Sequence, residues 1–231
     1  DWVEGEDVTD ILGVVKYEKP IPAQLAGVVV GAFPNFIQRT DEERVQNLDK
    51  DLPYMRTLIY EGREKLDGTS NTDFLYDGEF GVCSRGYQLK EEEGNTYWRA
   101  AKLFNIEEKL RSFDMNIAVQ GEIIGPGIQD NKYKLNSIEW WGFSVYDIDK
   151  RKYFLPEETE QIFSLLDLPQ CPVVIENFTF NDIYDILKVV DGKSFRNDNT
   201  KREGIVFRAI NSDRHVSFKG ISNEWLLHYK E

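Results

Sequence analysis

Histidine, cysteine and methionine each occur only twice in this 231-residue chain. With His215 and His228 as the only imidazoles, a histidine-rich metal site and most Ser-His-Asp arrangements are disfavoured. Cys83 and Cys171 are too few for a disulfide framework or a thiolate zinc site, and they point to a reduced, intracellular setting. No apolar run approaches the roughly 20 residues that a membrane-spanning helix needs, and no signal-peptide pattern opens the chain. A membrane partner is therefore not expected. Positive charge is also short. The 28 Lys and Arg face 41 Asp and Glu, for a net charge of −13, which argues against indiscriminate binding to nucleic acid.

What is present is globular: 41% of residues are hydrophobic and 13% aromatic, enough for a substantial core. The charge is uneven. Residues 191 to 231 hold eight Lys or Arg and six Asp or Glu, which leaves residues 1 to 190 at −15. A local basic strip on an acidic body suits an enzyme that touches phosphates at one place.

Along the chain, β-branched residues 11 to 18 read as a strand ended by Pro20 and Pro22. Thr40-Asp41-Glu42-Glu43 reads as a capping box opening a short helix through about Leu48, with Pro53 closing that element. Residues 55 to 64 read as a strand leading into Lys65, and 73 to 84 as a strand pair around an Asp77-Gly78 turn. Helical spacing of Trp98, Ala101, Leu103, Ile106 and Leu110 predicts one helix over 95 to 113. Residues 116 to 125 form an apolar strand interrupted by Glu122, a carboxylate that is costly to bury without a partner. In the strand over 138 to 148, alternation puts Phe143, Val145 and Asp147 on one face and Ser144 and Tyr146 on the other. Helices at 157 to 166 and 180 to 190 flank a strand at 172 to 176, and 193 to 199 is a polar loop. Two strands follow, Glu203 to Arg208 and His215 to Gly220, and Ser222 caps a last helix through Leu227. Irregular interleaving of strands and helices predicts an α+β fold with antiparallel sheets.

The chemistry centres on Lys65-Leu66-Asp67-Gly68. A lysine amine is a nucleophile once it loses its proton, which requires burial or a cationic neighbour such as a metal ion. Gly68 would let the backbone turn beside a ligand, and Asp67 offers a hard carboxylate to a metal. Three fixed residues at this spacing arise by chance in roughly one chain of this length in twenty, so the motif acquires meaning from its companions. These follow in order: Ser84-Arg85, Gly121-Glu122, Val145-Tyr146-Asp147, Glu203-Gly204-Ile205-Val206-Phe207 and Ser217-Phe218-Lys219.

That order resembles the six collinear motifs of the covalent nucleotidyltransferases, the superfamily of ATP-dependent ligases and capping enzymes. Residues 16 to 22, 40 to 47 and 203 to 208 are similar to the Deinococcus/Naegleria type of RNA ligase, over nearly the whole chain. The resemblance implies that 1 to 231 is a nucleotidyltransferase domain, with residues 1 to 10 a remnant of a linker to an N-terminal OB-fold domain. It implies ATP and Mg²⁺ or Mn²⁺ as cofactors, and RNA or RNA/DNA ends, nicked duplex among them, as partners. Lys65 would become Lys-AMP, with Glu203 and Lys219 also catalytic. Glu64, Arg85, Glu122, Tyr146 and Lys219 would contact the nucleotide, Tyr146 by stacking on adenine. Asp67, Glu122 and Glu203 would hold the metal through water. The chain departs from the pattern at Ser217 and Ser70, where many relatives carry Lys and Arg, so Arg208 or Arg214 would share the phosphate charge. The rival expectations are a capping-type guanylyltransferase, which shares the lysine chemistry, and a catalytically silent nucleic-acid-binding module.

Overall fold

Two antiparallel sheets, joined where the lysine motif crosses between them, make up the framework. The computed structural model of the chain describes residues 11–13, 27–48 and 50–229. The expected strand over 11 to 18, apart from a turn at 11–13, falls outside these residues, as do the linker at 1–10 and the segment 16–22.

β1 (Val29–Ala32) and a short helix α1 (Leu52–Met55) precede β2 (Tyr60–Lys65). Three strands follow, β3 (Thr69–Tyr76), β4 (Glu79–Ser84) and β5 (Tyr87–Leu89), and then helices α2 (Thr96–Leu103) and α3 (Ile106–Arg111). β6 (Ile117–Ile124), β7 (Glu139–Asp147) and β8 (Lys152–Tyr153) complete a seven-stranded sheet of order β1-β5-β4-β3-β6-β7-β8. Next come α4 (Pro156–Leu165), β9 (Val173–Phe178), α5 (Ile183–Val190) and a hairpin of β10 (Lys193–Ser194) and β11 (Asn197–Lys201). β12 (Gly204–Ala209) and β13 (Ser217–Ile221) join β2 and β9 in a four-stranded sheet of order β13-β12-β2-β9, and α6 (Asn223–Tyr229) follows. The mixed fold with antiparallel ladders is the one expected.

Each sheet has its own core. Trp140, Val119, Val145, Phe163, Ile106 and Leu110 pack the large sheet against α2, α3 and α4. Tyr60, Phe207, Phe218, Ile186 and Val190 pack the small sheet against α5. Each such side chain contributes about 1.5–3 kcal/mol on full burial, so the two sheets are firm walls for whatever lies between them.

Local chemistry explains the elements. Asp77 and Gly78 have φ of 49° and 80°, the paired positive values that a two-residue hairpin turn requires. Asn95 caps α2 by accepting from the Tyr97 and Trp98 N–H groups. Ser222 Oγ accepts from the Trp225 N–H at 3.0 Å at the start of α6.

Several expectations are corrected. The helix over 95 to 113 is two helices, because Asn105 adopts the left-handed conformation at φ 51°, which asparagine tolerates better than most residues. Leu103 is consequently exposed rather than core, and Trp98 is half-buried. Thr40 to Glu43 caps no helix. Only a 3-10 turn follows at Val45–Asn47, without a side-chain cap, and Asp41 and Glu42 pair with Arg85 and Arg208 instead. Pro53 opens α1 rather than closing the preceding element, since the first turn has no use for its missing N–H. The strand into Lys65 begins at Tyr60, not 55, and the loop expected at 193 to 199 is the β10–β11 hairpin. In β7 the alternation shifts. Gln120 pairs with Ser144 but Gly121 with Gly142, so Phe143 is a bulge residue and leaves the face of Val145.

Candidate active site

Register places the reactive groups. Lys65, the last residue of β2, pairs with Gly204, which brings the preceding Glu203 to the lysine. Lys65 Nζ lies 2.7 Å from Glu203 Oε2. Val206 and Lys219 pair two residues further along the same face, and both line the cleft. From Lys65 the chain crosses through Leu66, Asp67 and Gly68 to β3, where Ser70 pairs with Glu122 on β6. A Cβ at Gly68 would stand 2.3 Å from the Ile123 carbonyl oxygen. The glycine thus serves close approach to β6 rather than a turn beside a ligand. Its N–H donates to Glu122 Oε1 at 3.1 Å. The resulting cleft, of about 350 Å³, is bounded by Lys65, Asp67, Arg85, Glu122, Phe143, Arg208 and Lys219, with Thr40, Asp41 and Glu42 along one lip.

Charge is arranged unequally. Burial favours the neutral Lys65 amine, but Glu203, Glu122 and Asp67 outweigh it and hold the pKa above the ordinary lysine value. Asp67 is itself paired with Lys132. Burial pushes Glu122 up to about 8 against the opposing pull of Lys65, with Glu203 and Asp67 adding to the rise. With its pKa at about 8, Glu122 holds a proton near neutral pH, while Glu203 meets Lys65 and Asp67 meets Lys132.

The opposite wall is cationic. Arg85 meets Asp41 at 3.0 Å in an exposed pair, which solvent screening makes easy to exchange. Arg208 meets Glu42 at 2.9 Å in a largely buried pair. Lys219 has no side-chain ion pair among the described residues. The lip carboxylates of Asp41 and Glu42 thus sit where anionic groups of a ligand would meet the arginines. Arg208, not Arg214, is the cleft's additional cation.

Two expected contacts are not brought into the cleft. Tyr146 is buried with Phe33, Ile37, Phe74 and Tyr153 on the other side of its sheet neighbours and is not among the residues bounding the cleft. The bulge puts Phe143 there in its place, with the Arg208 guanidinium 5.9 Å from its ring centroid. Glu64 borders the cleft, but its buried carboxylate is committed elsewhere: Oε2 accepts from the Phe195 N–H at 3.1 Å. Burial raises its pKa, opposed by Ser194, that N–H and Arg202. Strand alternation is the reason, since Glu64 and Lys65 face opposite ways.

The sequence reading missed Lys132 and Tyr133. The Tyr133 hydroxyl accepts from the Asp67 N–H at 2.7 Å. Lys132 grips the Asp67 carboxylate while lying 5.4 Å and 5.7 Å from the ring centroids of Trp225 and Tyr229 in α6. The two lie 65 positions apart, and nothing in the intervening sequence signals the contact. Charge-assisted bonds of this kind contribute about 1.5–3 kcal/mol. Lys132→Met is expected to slow covalent nucleotide attachment by roughly tenfold or more, with partial recovery in Lys132→Arg. A single-turnover rate in Lys132→Met equal to wild type would remove the residue from the site.

A lysine at the crossing of two antiparallel sheets, faced by carboxylates on one side and cations on the other, defines a nucleotidyltransferase domain of the ligase class. The RNA ligase family model matches residues 59–221, and the chain belongs to that family. It is similar to an RNA ligase of Naegleria gruberi, at 39% identity over 98% of this chain and 67% of that one, with a TM-score of 0.84 for an aspartate-to-alanine variant without ligand. The same enzyme with pyrophosphate superposes with a TM-score of 0.84 at 39% identity, covering 98% of this chain and 68% of that one. Its lysine-to-methionine variant with AMP and manganese gives 0.83 at the same identity and coverage. No curated protein sequence matches the chain. Among the described residues, no helix is long and apolar enough to cross a membrane.

Proposed function

We propose that this domain performs the nucleotidyl transfers of an ATP-dependent RNA ligase, joining an RNA 3′-OH to a 5′-phosphate. The observation that carries this reading is the 2.7 Å contact of Glu203 with Lys65, which lines a cleft whose other wall holds Arg85, Arg208 and Lys219. The Lys65 amine attacks the α-phosphorus of ATP. A P–N bond forms, the bond to pyrophosphate breaks, and the amine proton leaves to solvent. A 5′-phosphate oxygen then attacks the Lys65-AMP phosphorus, releasing the lysine and forming an adenylylated end. The 3′-OH finally displaces AMP as the phosphodiester forms.

Each wall has a role in this scheme. Glu203 orients the amine. Lys219, Arg208 and Arg85 neutralise the phosphates, the last two by exchanging the lip carboxylates for substrate oxygens, and such preorganised charge is the main lever in phosphoryl transfer. Phe143, rather than Tyr146, offers its ring to adenine, and Glu122 reaches the ribose.

A divalent cation, Mg²⁺ or Mn²⁺, fits the acidic wall, where burial and the neighbouring Glu203 and Asp67 push Glu122 up to about 8 despite Lys65. No three metal-ligating groups among the described residues stand close enough to bind one bare ion. Asp67, Glu122 and Glu203 would therefore hold it through water. Such a cation would supply the positive charge that lets the Lys65 amine lose its proton.

Nicked duplex as substrate, a neighbouring OB-fold domain and an intracellular location complete the proposal. The two cysteines are free and buried, which suits a reducing compartment. The test is intact-mass measurement after incubation with ATP or GTP and Mg²⁺ or Mn²⁺. A single AMP adduct is expected, and a GMP adduct would favour the capping reading. Because residues 1 to 190 carry −15 and phosphate contacts supply most nucleic-acid affinity, this chain should form Lys-AMP readily but seal 5′-phosphate nicks poorly and with strong salt inhibition. Efficient sealing at both low and high salt would show that the domain carries the whole substrate site.

A further inference from the structure

A second hollow, of about 230 Å³, is bounded by Phe104, Glu139, Trp140, Trp141, Pro169 and Arg196. Trp141 in its wall meets Phe195 edge to face, with ring centroids 4.8 Å apart. Arg196 lies over both, its guanidinium 5.7 Å from the Trp141 centroid and 5.6 Å from that of Phe195. Glu139 orients this group, accepting from Trp141 Nε1 at 2.9 Å and from Arg196 Nη2 at 2.6 Å. The Arg196 Nε is buried without a partner. Phe195 is 37% exposed, an unusual position for a phenyl ring on a polar hairpin.

The hollow adjoins the reacting groups through main chain. Trp141 pairs with Glu122 across β6 and β7, and Phe195 binds Glu64, the neighbour of Lys65, by its N–H. The hairpin is also stitched to the loop that carries Lys132. Asn197 Nδ2 donates to the Tyr133 carbonyl at 3.1 Å and Thr200 Oγ1 to the Lys132 carbonyl at 2.9 Å. Lys134 and Lys193 sit on these two joined segments, both exposed and neither in an ion pair among the described residues. Asp198 is the exposed acid nearby, while Glu139 is already committed.

We infer that the Trp141–Phe195–Arg196 hollow receives an unpaired base of the RNA strand whose end is being joined, with Lys134 and Lys193 on its phosphates. This inference rests on the ligase reading of the adjacent cleft. The chemistry matches the occupant. Single-stranded nucleic acid is held by aromatic faces and cations placed side by side, with little demand on sequence. A purely structural Phe195 would bury its ring, and a purely structural Arg196 would satisfy its Nε. On an otherwise acidic body, this is where a strand leaving the cleft finds both stacking and positive charge.

The experiment compares Phe195→Ala and Arg196→Ala with the wild-type chain in three measurements. These are the Lys-AMP mass adduct, low-salt binding of a 5′-phosphorylated single-stranded RNA carrying 2-aminopurine near its end, and sealing of a pre-adenylylated single-stranded RNA end. Both substitutions spare the Phe195 N–H that anchors Glu64, so Lys-AMP formation is expected to stay within about twofold. RNA affinity and sealing are expected to fall about tenfold or more in Phe195→Ala, the usual scale for one stacked base, with loss of the 2-aminopurine quench. Unchanged RNA affinity and sealing in both variants would overturn the inference. So would a parallel loss of Lys-AMP, which would mean action through Glu64, or a wild-type chain that binds no RNA at low salt. A wild-type chain that binds RNA through the hollow but forms no Lys-AMP would instead overturn the ligase reading.

Discussion

Lys65→Met and Lys65→Arg are both expected to form no covalent AMP adduct while remaining folded. Methionine keeps the length of the side chain without an amine. Arginine keeps the charge that Glu203 faces at 2.7 Å but does not deprotonate in proteins. The pair of variants separates nucleophilicity from electrostatic fit. Lys65→Met removes the cation that Glu203 meets, and some stability is lost. About 1 kcal/mol would lower the melting temperature by roughly 2–4 °C in a domain of this size. Lys65→Arg should recover most of that loss without recovering the adduct. The readout is intact mass after incubation with ATP and Mn²⁺. An AMP increment on either variant would place the nucleophile elsewhere.

Glu203→Ala is expected to slow adduct formation by on the order of a hundredfold or more. Two effects oppose each other here. Glu203 is the foremost carboxylate holding Lys65 in its ammonium form, so its removal raises the fraction of neutral amine and would by itself speed attack. Removal also takes away the acceptor that orients Nζ and one of the three carboxylates proposed to hold a divalent cation. Misplacement of a reacting group by about 1 Å alone costs on the order of a hundredfold, so the slower outcome should win. Glu203→Gln, which retains an acceptor but not the charge, should fall between. The measurement is the single-turnover rate across a Mn²⁺ series. A Glu203→Ala rate equal to or above that of wild type would move the cation site elsewhere and leave Glu203 as a brake on the lysine.

Much of the candidate active site was legible in the residues themselves. Lys65, Asp67, Glu122 and Glu203 each stand out locally, as a charge inside a strand pattern or beside a glycine, and register brings Glu203 and Glu122 to the same lysine. Tyr146 shows the limit of such reading. Strict alternation assigned it the ligand side of β7, but one extra residue at Phe143 reverses the parity upstream of Ser144. A bulge of this kind leaves no compositional trace, because Phe143 and Tyr146 are equally good strand residues. The lip at Thr40 to Glu42 misled for a related reason. Its acidic pattern fits a helix start as well as it fits two arginines, and the choice depends on what lies opposite.

The sequence alone named the groups proposed to do the chemistry, a candidate lysine nucleophile with carboxylate and cationic companions in a fixed order, and the α+β frame of antiparallel strands. These are local properties, since covalent transfer needs particular side chains at set distances along strands, and the spacing records them. Tertiary structure decided which charges meet. Lys132 reaches Asp67 across 65 residues and Arg208 reaches Glu42 across 166. It also brought Phe195 and Arg196 onto Trp141 to form a second hollow. Ion pairs and ring contacts carry no periodicity along the chain, and their partners are chosen by the packing of two sheets whose relative placement no single segment encodes.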